Sequence, residues 1–186
     1  MTHLVRRSDL LDYATFTDHR EALWPTVAAA KRHRRVTLGP YLTLLFENAT
    51  TVRWQVQEMM RVERLVREAD IHHELETYNA LLGGPGELGA VLLVEIAEEA
   101  RRPELLRAWR PLPGHLFAVS GDGRRAAATF DMAQVGDDRL SSVQYIRFPV
   151  GADVPARIVI DLEGLACDVA LTLETRHALG EDLDPG

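Results

Sequence analysis

Apolar residues recur at helical spacing from Thr51 to Ala69. Val52, Val56, Met59, Val62 and Val66 fall on one face of a helical wheel, and Trp54, Met60 and Leu65 widen that face into a broad arc. The pattern predicts one long amphipathic helix. Gln55, Glu58 and Glu63 fall inside the apolar arc, whereas Arg53, Gln57, Arg61, Arg64 and Glu68 fall outside it. A carboxylate held against apolar surface is costly unless it is paired, protonated or bound to a metal. Those three polar residues are therefore the first place to look for chemistry.

The same reading extends along the chain. Ser8 or Asp9 can cap a short first helix, and Asp18-His19-Arg20 opens a second that carries Pro25 in its first turn and ends near Lys31 to Arg34. Val36 to Leu38 and Tyr41 to Phe46 flank Gly39-Pro40 as a hairpin or bent strand. Asn48, Thr50 and Thr51 offer capping oxygens to the long helix. A further helix, Asp70 to Leu82, packs through Ile71, Leu75, Tyr78 and Leu82 and stops at Gly83-Gly84-Pro85-Gly86. A turn near Ala69-Asp70 would fold it back antiparallel on its predecessor. Glu87 to Ile96 reads as a buried strand and Glu98 to Trp109 as a helix. Two hairpins follow, one across Gly121-Asp122-Gly123 and one across Glu163-Gly164, with a strand from Ser142 to Val150 between them and a short acidic tail at the end. The predicted class is α+β, with N-terminal helices and a helical hairpin packed on a mainly antiparallel β-sheet or sandwich. Residues 1–186 are expected to form a single domain, mostly helical over 1–82 and mostly β over 83–186.

Composition narrows the function classes. The 186 residues are 46% hydrophobic and 26% charged, enough for a real core in one domain. A net charge of -7 and pI of about 5.5 argue against nucleic-acid binding, which relies on basic surface. The run Lys31 to Arg35 is read as a solvated helix end or a salt-bridging patch, with an anion or acidic-partner contact as the alternative. One cysteine, Cys167, builds no disulfide framework and suits a reducing cytoplasm. The first residues lack a signal-peptide pattern, and no stretch approaches the ~20 apolar residues of a membrane span. A cytoplasmic protein without membrane contact is expected.

Carboxylates and imidazoles are the ligand set of iron, manganese or zinc. If the two helices fold back on each other, Glu58 and Glu63 approach His73 and Glu76, which share neighbouring turns. This gives a candidate metal set of Glu58, Glu63, His73 and Glu76. Gln55 and Arg147 would orient ligands or substrate from outside it, and Arg147 could instead pair with a core-facing glutamate or hold a ligand carboxylate. Without a metal, Glu58 or Glu63 could serve as a catalytic general base. The plain structural alternative stays open: Glu58 with Arg61 and Glu63 with Arg67 have the spacing of ordinary helix ion pairs. Phosphate-loop, nucleophile-elbow and dinucleotide fingerprints do not occur, so no nucleotide cofactor is expected.

The stretches LGPYLTLLFEN, QEMMRVER, HELETYN and GPGEL, joined by the later SSVQYIRFPV, resemble the bacterial domain-of-unknown-function family 3501. The resemblance spans most of the chain. Its pattern includes residues matching Glu47, Gln55, Glu58, Glu63, His73, Glu76, Tyr78, Asn79 and Glu87. The family carries no settled activity to transfer. The resemblance does imply genomic neighbours of rubrerythrin-like and iron–sulfur oxidoreductase type. It thus implies either an iron-dependent, non-haem oxidoreductase or redox protein, with manganese as the second choice of metal, or a non-catalytic partner or assembly subunit of such a system. A homo-oligomer is compatible with either role.

Overall fold

The computed structural model describes residues 4–130, 136 and 138–183. Its architecture is α+β, as the pattern predicts. The described elements run α1 (Tyr13–Arg32), β1 (Arg35–Leu38), β2 (Leu42–Phe46), α2 (Ala49–Val62), α3 (Glu68–Asn79), β3 (Glu87–Val94), α4 (Arg102–Ala108), β4 (Leu116–Ser120), β5 (Arg125–Ala127), β6 (Thr129–Phe130), β7 (Val143–Pro149), β8 (Pro155–Ile160), β9 (Cys167–Ala170) and α5 (Leu173–Leu183).

The strands form two antiparallel sheets, ordered β1-β2-β3-β7-β6 and β5-β4-β8-β9. Alternation places Leu42, Leu44, Phe46, Leu88, Ala90, Leu92, Ile146 and Phe148 of the first sheet in one buried cluster with Leu116, Ala118, Ile158 and Ile160 of the second. The hairpin from the mostly helical part of the sequence supplies the edge of the five-stranded sheet. β7 alternates without a fault: Gln144, Ile146 and Phe148 point inward, while Val143, Tyr145, Arg147 and Pro149 face out. The alternation looks imperfect in the sequence because one inward residue is polar. Gln144 is fully buried, and its side-chain amide donates to the Ser141 carbonyl at 3.0 Å.

The helices build a second packing centre. Val52, Val56 and Met60 of α2 meet Ile71 and Leu75 of α3 and Val5 and Leu10 of the N-terminal segment. Phe16 and Val27 of α1 close over Trp54. Two side-chain amides hold the N-terminal segment down. Gln57 accepts from Leu11 N–H at 3.3 Å and donates to Leu11 C=O at 3.2 Å. Asn79 does the same for both backbone groups of Val5, at 2.9 Å each way. Each amide imitates a strand neighbour, offering one donor and one acceptor side by side. Gln57, read as a surface residue from the sequence, is therefore buried.

Three further expectations are corrected. First, the long helix does not reach Ala69. It ends at Val62, with Glu63 as its C-cap and Arg64 in the left-handed region at φ 54°. Leu65 N–H reaches back to the Met60 carbonyl at 2.9 Å, and Leu65 packs on the cluster that holds Met60. This is a Schellman stop with its usual hydrophobic contact, but with arginine in the position glycine normally fills. Val62, the last residue of the helix, stands 63% exposed, and past the stop the wheel loses its phase, leaving Val66 75% exposed. Second, α1 is one 20-residue helix, capped by Asp12 on Ala14 and Thr15 N–H, with Pro25 in its interior. Packing of Phe16 and Val27 on Trp54 outweighs the hydrogen bond that Pro25 cannot donate. Third, the acidic tail is helix α5 over Leu173–Leu183, and its Leu179 is fully buried in the sandwich core.

Arg34 ties α5 to the rest. It is buried and bidentate to Asp182 at 2.7 and 2.8 Å, and it also donates to the Ala30 and Ala178 carbonyls. The basic run is thus a salt-bridging patch at this position.

Candidate functional site

The four residues of the predicted metal set are not gathered. Glu58 lies between α1 and α2 and accepts from Arg20 at 2.6 and 3.3 Å and from Arg61 at 3.0 Å, so both carboxylate oxygens are occupied. Arg20 also lies over the Trp54 ring at 5.6 Å. Burial pushes the Glu58 carboxyl up, but the hydrogen bonds from the two guanidiniums outweigh it and hold the group below its ordinary value. Two fixed cations at the only polar end of this side chain repel a third. Glu63 caps α2 and is exposed, as are His73 and Glu76 on α3. Among the described residues no group of three or more His, Cys, Asp or Glu side chains is arranged to hold a metal ion. The residues present do not fit the implied metal: Glu63, His73 and Glu76 are exposed, and arginines claim Glu58.

Gln55 and Arg147, expected to assist that set, lie elsewhere. A cavity of about 460 Å³ opens between the C-terminal end of α3 and the outer face of β6 and β7. That is within the ordinary range for a small-molecule site. Thr77, Tyr78, Ala80 and Leu81 form one wall, and Thr129, Phe130, Tyr145, Ile146 and Arg147 the other. Gln55 reaches this groove through a hydrogen bond to the Tyr78 side chain. Arg147 crosses it to donate to the Ala80 carbonyl at 2.8 Å, and its own carbonyl accepts from the Thr129 hydroxyl at 3.3 Å.

The two walls are held together by backbone contact behind the groove. A β-carbon on Gly89 of β3 would lie 1.9 Å from the Leu81 carbonyl oxygen and 2.7 Å from Gly83 N, so only glycine lets the end of α3 sit this close to the sheet. Gly83 has the same constraint against the Glu87 carbonyl, at 2.2 Å. Glu87 accepts from Gly84 N–H at 3.0 Å and fixes the turn between helix and strand.

Burial pushes the Tyr78 phenol above its ordinary value. The hydrogen bond with Gln55 opposes that shift, and Glu74, Tyr145 and Glu63 reinforce it electrostatically. The phenol therefore stays neutral and able to donate. Among the described residues of the lining, Arg147 is the one charged side chain. Among the described residues it has no acidic partner within ion-pair distance. The groove thus offers one cation, hydroxyl groups and the apolar surface of Leu81, Phe130 and Ile146. Sequence reading named Arg147 and Gln55 but missed Thr77, Thr129, Phe130 and Tyr145. The signal for Tyr145 was present, since it stands two residues from Arg147 on the same face of one strand.

A second polar centre lies behind β2. Glu47 is largely buried, accepts a short hydrogen bond from Thr51, and faces Lys31 and Arg34. Burial raises its carboxyl above the ordinary value, partly offset by the Thr51 hydroxyl and the two cations. Asn48, beside it, caps α2 through Thr51 N–H and also donates to Asp182. This centre joins β2, α1, α2 and α5.

The family described as Protein of unknown function (DUF3501) matches residues 4–183. The chain is similar to a crystallised protein of unknown function from Burkholderia pseudomallei, with 26% identity and a TM-score of 0.89 over 98% of this chain and 100% of that one. The search of curated proteins gives no match.

Proposed function

The chain belongs to the DUF3501 family, and on that premise we propose that it is a small-molecule-binding protein whose site is the groove between α3 and β6–β7. The observation that carries this reading is the cavity itself. It has the size of a ligand site, mixed walls of aliphatic, aromatic and hydroxyl groups, and, among the described residues, one charged side chain able to fix an orientation. Its position adds support, because the walls come from different parts of the chain and are locked by the Gly89–Leu81 approach rather than by a loop. The test is amide NMR of the labelled protein against a library of small amphiphiles. Shifts should cluster at Thr77–Leu81 and Tyr145–Arg147 and vanish in Thr77→Trp, which fills the groove from its exposed rim. Shifts that scatter over the surface, or persist in that variant, overturn the reading.

One observation favours a second role, that of a non-catalytic partner subunit. Val62 and Val66 project from the turn between α2 and α3, with Arg64 and Arg67 exposed beside them. Apolar knobs ringed by cations suit an acidic protein surface, such as one on the rubrerythrin-like or iron–sulfur proteins implied by the family resemblance. Co-purification of such a partner with the wild type but not with Val62→Asp/Val66→Asp is the expected result. Equal recovery with both removes this role.

A further inference from the structure

The geometry points to a monocarboxylate with an apolar body as the ligand class of the α3–β7 groove, its carboxylate seated on Arg147. This rests on the groove being a binding site. A guanidinium has five N–H donors, and Arg147 commits one of its nitrogens to Ala80. That contact holds the plane of the guanidinium at the groove wall instead of leaving it loose in solvent. The remaining edge is the planar fork that matches a carboxylate. Among the described residues no Asp, Glu, Lys or His lines the cavity, so the described lining carries one positive charge, which a single negative one matches. Hydroxyls of Thr77 and Tyr78 are on the facing wall and can complete the shell of the second oxygen. Leu81, Phe130 and Ile146 then receive the apolar remainder.

The surroundings also select against phosphate. Ala80 is the C-cap of α3, so the helix end at this groove presents carbonyl oxygens and the negative pole of the helix dipole. Phosphate sites take the opposite end, where free N–H groups converge. A dianion here would face the Ala80 carbonyl with only one arginine to offset it. A singly charged carboxylate meets a matched partner.

Calorimetric titration of the full chain with octanoate, octanamide and octyl phosphate tests the inference. Octanoate should bind about 10- to 100-fold tighter than octanamide, the span expected for a charge-assisted pair. Arg147→Gln should erase that gap while leaving octanamide binding in place, and Arg147→Lys should restore part of it. Equal binding of octanoate and octanamide by the wild type overturns the carboxylate assignment and leaves the groove standing as a site. Tighter binding of octyl phosphate than of octanoate also overturns it. Binding of none of the three overturns the groove reading together with the inference. The wild-type comparison decides the matter even if Arg147→Gln folds poorly.

Discussion

Gly89→Ala is the sharpest single test of how this fold makes its groove. The new β-carbon would lie 1.9 Å from the Leu81 carbonyl oxygen, 2.7 Å from Gly83 N and 3.0 Å from the Leu81 carbonyl carbon. Real β-carbons essentially never come closer than 3.0 Å, so the 1.9 Å contact must open by at least about 1.1 Å. All three neighbours are backbone atoms, and no side-chain rotation relieves them. Either β3 shifts within the sheet or the end of α3 lifts from it. Because β3 is paired on both edges, with β2 and β7, the end of α3 should move, carrying Ala80 and Leu81 with it. Overpacking of a tight site costs about 1–3 kcal/mol, and a clash confined to backbone belongs at or above the top of that range. With a urea slope of about 1–3 kcal/mol/M, the unfolding midpoint should fall by about 1 M or more. The Arg147–Ala80 hydrogen bond should break in the same variant, so groove shifts in amide NMR should weaken. Gly114→Ala supplies the control, since a β-carbon there meets nothing within 4 Å, and its midpoint should stay within about 0.5 kcal/mol of wild type. An unchanged midpoint for Gly89→Ala would refute the claim that this close approach sets the groove wall.

Other outcomes follow from the ion pairs. Arg34→Met leaves Asp182 without its bidentate partner near the sandwich core and should cost about 3–5 kcal/mol in urea unfolding; a loss under 1 kcal/mol would show that α5 is held by apolar packing alone. Glu58 has a folded pKa below its ordinary value, so its contribution is present above the unfolded pKa of about 4.3 and is lost as pH falls through the folded value. Glu58→Gln should therefore flatten the acid limb of the stability–pH curve, and an unaltered limb would count against the Arg20–Glu58–Arg61 bridge. Glu47 works in the opposite sense, because its folded pKa is raised: stability is fully present below the unfolded pKa and declines as pH rises to the folded one. Glu47→Gln keeps an acceptor for Thr51 and should remove that decline, which thermal melts between pH 4 and 7 would detect.

The architecture was legible wherever period and punctuation agreed. The β1–β2 hairpin across Gly39-Pro40, the stop at Gly83 to Gly86 and the β8–β9 hairpin across Glu163-Gly164 follow from apolar alternation between turn residues. It was hidden where a residue acts against its type. Arg64 takes the left-handed conformation that glycine usually marks, so the end of α2 carried no signal and a false phase was read through Val62 and Val66. Pro25 lies inside a helix because tertiary packing holds it there. The partner of Glu58 was hidden for a different reason: Arg20 of α1 lies 38 positions away, a pairing that no local spacing reveals. Arg147 stands out in the sequence for polarity among apolar neighbours, but the groove it lines depends on the α3–sheet approach. That approach turns on Gly89, which a strand pattern shows only as a gap.

The two amide clamps on the N-terminal segment bear on how the chain is made. Val5 and Leu11 leave the ribosome ahead of their partners, which lie 74 and 46 positions downstream, on α3 and α2. Until Asn79 has been translated, the backbone groups of Val5 can pair only with water. Synthesis at about 5–20 residues per second leaves the segment exposed for several seconds. A segment made before the two helices is thus seated by groups that arrive after it, and it closes their apolar cluster from outside like a fastening drawn over a finished joint.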